Sequence, residues 1–197
     1  MTLADQCDAL AGRRILLIGI GFYDYEQSIA VRLRERGAEL TVFEDSPSVL
    51  RAGAVAGLLR RWRWGATRLT AAHELRILDA ARREPFDQVL VIKGTGLSVA
   101  LLSALRGAQP HAEFVLYQWD SLRRLEGAEE RLPFFDRVLT FDRQDALSHP
   151  NLAFRPLFFR DFGRDDAAQN IDITFVGWLH SSRLAAIRRM QADAAAQ

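Results

Sequence analysis

Ile15-Leu16-Leu17-Ile18, followed at once by Gly19-Ile20-Gly21, is an unbroken apolar run that ends in a glycine turn. Such a run marks a strand buried on both faces, as in a parallel sheet. Working outward, Tyr25, Ile29 and Leu33 recur every fourth residue, which predicts a helix over Tyr25–Arg36, stopped by Gly37. Leu40-Thr41-Val42-Phe43 is a second strand, closed by Glu44-Asp45. Val55, Leu58, Leu59 and Trp62 give one helix face, and Leu75 with Leu78 another. Val89–Ile92, Phe114–Tyr117 and Val138–Phe141 are further strands, with Leu152-Ala153-Phe154 a shorter sixth. Val99, Leu102 and Leu105 mark a helix after the third. Strand alternating with helix predicts an α/β fold, a Rossmann-like doubly wound parallel sheet with right-handed crossovers.

Near the end, Asp172-Ile173-Thr174-Phe175-Val176-Gly177 repeats the strand-and-glycine pattern. A helix over Ser182–Met190 follows, with Leu184, Ile187 and Met190 on one face. A lone strand–helix unit cannot cover its own apolar faces. Each stranded large apolar side chain forgoes roughly 1.5–3 kcal/mol of burial. The pattern predicts residues 1–160 as one domain, 161–171 as a polar linker, and 172–197 as the first unit of a truncated second Rossmann-like domain.

Composition sets the broad class. The 197 residues are 49% hydrophobic and 26% charged, with a net charge of +1. That is ordinary globular composition and gives no whole-chain case for nucleic acid. Lys93 is the single lysine among 26 basic residues, which leaves 25 arginines. The one cysteine, Cys7, rules out an intrachain disulfide framework and paired-cysteine zinc motifs. No apolar run approaches the roughly 18 residues of a membrane span. The N-terminus carries two aspartates rather than a secretory pattern, so the sequence predicts a cytoplasmic protein.

Parallel sheets bind ligands beyond the carboxyl ends of their strands. The polar residues just after each run are therefore the site candidates. Gly19, Gly21 and Tyr23 form the first turn, where glycines permit close backbone approach to a phosphate or sugar, or simply make a tight turn. As a dinucleotide fingerprint it lacks its third glycine, replaced by Asp24, although Glu44 lies near the spacing of a ribose-binding acid. Lys93-Gly94 follows the third strand, where the lysine either neutralises an anion or pairs with a carboxylate. Trp119 and Asp120 follow the fourth: the indole stacks on a sugar or fills core, and the carboxylate is a candidate base. Asp142 follows the fifth as a second acid or a helix cap. Arg60-Arg61-Trp62-Arg63-Trp64 fits either a peripheral contact with anionic lipid or a solvated helix C-terminus. His73, His111, His149 and His180 are scattered without metal-ligand spacing, and no P-loop, nucleophile elbow or HExxH motif occurs.

In order, several segments resemble the N-terminal half of bacterial GT-B glycosyltransferases of the spore-maturation-protein-like type, often described as lipopolysaccharide or capsule biosynthesis proteins. The matching segments are Arg14–Gly19, Phe86–Gly94, Tyr117–Leu122, Phe135–Asp142, and Asp172–Gly177 with His180 and Arg183. The resemblance implies transfer of a sugar from a nucleotide-sugar donor to a glycan or lipid-linked glycan, without metal or other cofactor. It implies that this domain holds the acceptor, with Gly19, Gly21, Tyr23, Lys93, Gly94 and Trp119 on the substrate side. Asp120, with Asp142 behind it, is the implied base. His180 and Arg183 would be the only donor-side residues present, so most of a donor site lies outside this sequence. Two other classes remain open: a NAD-dependent oxidoreductase resting on Gly19, Gly21 and Glu44, and a non-catalytic α/β binding module.

Overall fold

The computed structural model describes residues 9–21, 24–50, 57, 63–158 and 183–195. The chain divides into two compact units, Met1–Phe158 and Phe159–Gln197. Among the described residues the first holds six strands: β1 (Arg14–Gly19), β2 (Glu39–Glu44), β3 (Gln88–Ile92), β4 (Glu113–Gln118), β5 (Arg137–Thr140) and β6 (Leu152–Phe154). Its helices are α1 (Tyr25–Glu35), α2 (Arg63–Arg83), α3 (Val99–Ala108), α4 (Ala128–Arg131) and α5 (Arg143–Ser148). In the second unit, α6 (Arg183–Ala195) is described. The strand expected over residues 172–177 lies outside the described residues.

The strands form one sheet in the order β2-β1-β3-β4-β5-β6. Every neighbouring pair is parallel. The chain steps outward from β1 to β2, crosses back to β3, and then proceeds outward to β6. The reversal between β1 and β3 is a topological switch point, where loops diverge and leave a crevice at the carboxyl edge.

Both faces of the sheet are covered, which explains the unbroken apolar runs. Ile15 to Ile18 are at most 1% exposed. Leu16, Ile18, Val89, Val91, Phe114 and Leu116 point to one face, against Ile77, Leu78 and Ala81 of α2 and Leu101, Leu102 and Leu105 of α3. Leu17 and Ile92 point to the other, against Ala30 of α1. Helices on both faces make this a Rossmann-like α/β architecture.

Side-chain faces depart from the periodicity in three places. On α1 the buried residues are Glu26 and Ala30, while Tyr25, Ile29 and Leu33 are half-buried. Glu26 turns inward because it has a hydrogen bond to make beneath the β1 turn. Leu75 is exposed, and α2 buries Ile77, Leu78 and Ala81 instead. Val99 is exposed because it begins α3, ahead of the turns that cross the sheet.

A Phe-Asp dipeptide precedes both β3 and β5, and does the same work each time. Phe86 and Phe135 are buried. Asp87 Oδ2 accepts the N–H of Arg14 at 2.8 Å, tying the entry of β3 to the start of β1. Asp136 Oδ2 accepts the N–H of Phe114 at 2.8 Å, tying the entry of β5 to β4. Asp136 also receives two bonds from Arg106, at 2.6 and 3.0 Å. These fix strand register through groups that would otherwise lack partners at the sheet's amino edge.

The Arg106 hydrogen bonds, then that from Phe114, hold the Asp136 carboxyl below its usual pKa. A carboxyl with a lower pKa in the folded chain stabilises the fold above the unfolded-state value of about 4. That contribution is lost as pH falls through the lowered folded value. Asp136→Asn is therefore expected to lower stability at pH 7 and to flatten the loss of stability below about pH 4. Urea unfolding midpoints of both proteins from pH 7 to pH 2.5 test this; parallel curves would show that Asp136 contributes nothing.

Candidate functional site

Because all six strands are parallel, their carboxyl ends lie on one edge. That edge receives Gly19-Ile20-Gly21 from β1, Glu44-Asp45 from β2, Lys93-Gly94 from β3, Trp119-Asp120 from β4 and Asp142 from β5. Lys93 and Gly94 adopt consecutive left-handed backbone conformations, with φ of 63° and 64°. Glycine does this freely; for lysine it costs roughly 1–2 kcal/mol. A Cβ at Gly94 would also stand 2.7 Å from Val91 Cγ1. Lys93 still donates its N–H to Tyr117 O at 2.9 Å, extending the β3–β4 ladder. Its Nζ then reaches Asp120 Oδ2 at 2.6 Å, with side chains 28% and 40% exposed. Such half-exposed pairs contribute at most about 1 kcal/mol to stability, less than the cost of the lysine backbone pose.

The two candidate acids differ in what occupies them. Asp142 accepts the Gln144 N–H at 2.8 Å on Oδ1 and the Ser121 hydroxyl on Oδ2. It caps α5, and these two bonds, Ser121 first, hold its pKa below the usual carboxylate range. Asp120 gives one oxygen to Lys93, and its Oδ1 makes no hydrogen bond among the described residues.

The glycine turn after β1 is closed from within. Gly21, at φ 63°, donates its N–H to Glu26 Oε1 at 2.8 Å. Glu26 is 6% exposed, and a Cβ on Gly19 would overlap its Cγ. Asp24, where a dinucleotide fingerprint has its third glycine, is itself left-handed at φ 56°. The same device recurs along the edge. Buried Asp45 accepts the Gly96 N–H at 3.1 Å. Glu74 accepts Ser98 N and Oγ at 2.8 and 2.9 Å, and Ser98 Oγ in turn caps Leu101 N. Buried Asp145 accepts the Leu122 N–H at 2.8 Å. Two like charges about 4 Å apart repel by roughly 4 kcal/mol at an effective dielectric of 20. A pyrophosphate seated on the β1 turn would meet that repulsion from Glu26, which weakens the NAD alternative. Glu44, the candidate ribose acid, ends β2, and its carbonyl lies 2.7 Å from His73 Nε2.

Trp119 packs among rings, with centroids 5.9 Å from Tyr25, 5.9 Å from Tyr117 and 5.3 Å from Phe158. Tyr117 donates its hydroxyl to Pro156 O at 2.6 Å, and burial raises its pKa. Gln118 Oε1 and Trp119 Nε1 are buried, and neither has a hydrogen-bond partner among the described residues.

Tyr23, His180 and residues 60–62 lie outside the described residues. Arg183 opens α6 and is exposed. Arg63 and Trp64 begin α2 and so do not sit at a helix C-terminus, because the buried Gly65 continues that helix rather than ending one. Trp64 is 78% exposed. Among the described residues, no group of three or more His, Cys, Asp or Glu is placed to hold a metal ion, and no helix is long and apolar enough to cross a membrane. Glu26, Asp45, Glu74 and Asp145 are the site-edge residues that sequence reasoning missed. Only position offered a signal: Asp45 directly follows the last residue of β2, and Glu26 falls in a helix's first turn.

Fold and edge together define a doubly wound α/β protein with a lysine–aspartate pair beside its switch point. Compared with known proteins, the chain matches no family model, no curated protein and no solved structure.

Gly19→Ala is expected to destabilise the chain by about 1–3 kcal/mol, through overlap with Glu26. Adding Glu26→Ala removes the overlap, so the double variant should recover part of that loss. Denaturant unfolding of the four-member cycle measures it, and strictly additive effects would show that Glu26 does not limit residue 19.

Proposed function

We propose that this chain is the acceptor-side domain of a GT-B-type glycosyltransferase that moves a sugar from a nucleotide-sugar donor to a cell-surface glycan. The observation that carries the proposal is the Lys93–Asp120 pair at the carboxyl edge, with one aspartate oxygen making no hydrogen bond among the described residues. A base for glycosyl transfer must be ionised, oriented and reachable by a hydroxyl. Lys93 orients the carboxylate through Oδ2, and Oδ1, without a hydrogen bond among the described residues, is left to meet the hydroxyl. Oδ1 takes the proton as the acceptor oxygen attacks the anomeric carbon and the nucleoside diphosphate leaves. Asp142 is not used, since both its oxygens are engaged in capping. The donor would be held by a second Rossmann-like domain, of which residues 172–197 form the start in this reading. His180 and Arg183 would then face the nucleotide sugar. The ordered resemblance of the Phe86–Gly94, Tyr117–Leu122 and Phe135–Asp142 segments supports the same reading.

The test is nucleotide-sugar turnover by the longest native chain that carries this sequence. Asp120→Asn should lower kcat by about 10²–10⁴-fold with an unchanged unfolding midpoint. Unchanged turnover would overturn Asp120 as the base. Absence of turnover with every nucleotide sugar tried would overturn the reading itself.

A further inference from the structure

We infer that the outward face of α2 docks on the surface of an anionic lipid bilayer, with its arginines on lipid phosphates and Trp64 at the level of the headgroups. The inference goes beyond the glycosyltransferase reading and uses nothing from the Lys93–Asp120 edge.

α2 spans 21 residues and commits only one side to the core, through Ile77, Leu78 and Ala81. The opposite side is exposed at every turn, at i, i+3 and i+4 spacing, from Trp64 to Arg83. At roughly 1.5 Å per residue that face runs about 28 Å. Its exposed cations are Arg68, Arg76, Arg82 and Arg83, and its exposed acid is Asp79. Four arginines against one aspartate leave a net charge of +3 on the face. Asp79 lies 3.9 Å from Arg82. Arg68, Arg76 and Arg83 make no ion pair among the described residues. The other acid within α2, Glu74, turns away to Ser98.

Apolar groups stand among these arginines. Trp64 is 78% exposed and Leu75 57%, with exposed Ala71 and Ala72 between them. A protein partner would gather such groups into one apolar centre ringed by charge. Here they lie three turns apart with Arg68 between. That spread suits a headgroup layer, where an indole sits at the interface and basic side chains flank it. Each unpaired guanidinium can bind a lipid phosphate bidentately. The surplus of positive charge favours an anionic bilayer over a zwitterionic one. Single-stranded nucleic acid would also be drawn by charge, but it is held in grooves with several rings for its bases. The outer side of a helix is convex, and this one presents a single ring.

The test is co-sedimentation of the 197-residue chain with vesicles of phosphatidylcholine alone and of phosphatidylcholine mixed with phosphatidylglycerol. The mixed vesicles should take up the chain at least about tenfold more strongly. Raising salt from about 0.1 M to about 0.5 M should release it. Arg68→Glu combined with Arg76→Glu should lower the partition by about tenfold or more, and Trp64→Ala by about threefold. These positions are exposed, so the unfolding midpoints should not move. Leu147→Ala, at an 81% exposed leucine on α5, should bind as the parent does. Equal uptake by the two kinds of vesicle, or unchanged partition in the arginine or tryptophan variants, would overturn the inference. An equal loss in Leu147→Ala would do the same. Tighter binding to a single-stranded oligonucleotide than to the mixed vesicles, lost in the arginine variant, would overturn it in favour of nucleic acid. None of these readouts involves nucleotide-sugar turnover, so this inference and the glycosyltransferase reading fail separately.

Discussion

Backbone N–H groups left over at the ends of a sheet need acceptors, and in this chain carboxylates of its own supply them at both edges. At the amino edge Asp87 and Asp136 take the N–H groups of Arg14 and Phe114. At the carboxyl edge Glu26, Asp45, Glu74 and Asp145 take those of the turns. A charge-assisted bond of this kind is worth more than a neutral one, and at Leu122, where the bond is buried, losing it strands the N–H. The sheet is thus pinned at both ends by negative charge, and the surplus of carboxylates at the carboxyl edge follows from a structural need. Whatever binds there meets a surface already shaped by that need.

Legibility in the sequence tracked the distance over which each feature is determined. The runs Ile15–Ile18, Val89–Ile92 and Phe114–Leu116 announced strands because both their neighbours and both their faces are apolar, a local property. The β1–β3 reversal was not legible, since strand order depends on which crossovers pack, not on any single run. Helix faces fell between. Periodicity placed Tyr25, Ile29 and Leu33 on the inner face of α1, but the need to satisfy Gly21 drew Glu26 inward and rotated the buried line.

The candidate site divided the same way. Lys93, Asp120 and Asp142 were visible because each lies within three residues after an apolar run. Their partners were not. Ser98 meets Glu74 across 24 residues, Leu122 meets Asp145 across 23, and Gly96 meets Asp45 across 51. No local pattern separates a carboxylate that will answer a distant N–H from one that stays in water. The distinction between Asp120 and Asp142 also needed three dimensions: among the described residues one has an oxygen without a hydrogen bond, the other has both occupied.

Lys93 sits in a backbone pose that asparagine or glycine adopts at less cost. Either replacement would relax the turn after β3 and remove the ammonium that Asp120 faces. Thermodynamic stability and local charge therefore pull in opposite directions at this one position. Drift toward a more stable chain, or selection of variants for heat tolerance alone, would tend to erase the pair, and only a requirement at the carboxyl edge itself would keep a lysine there.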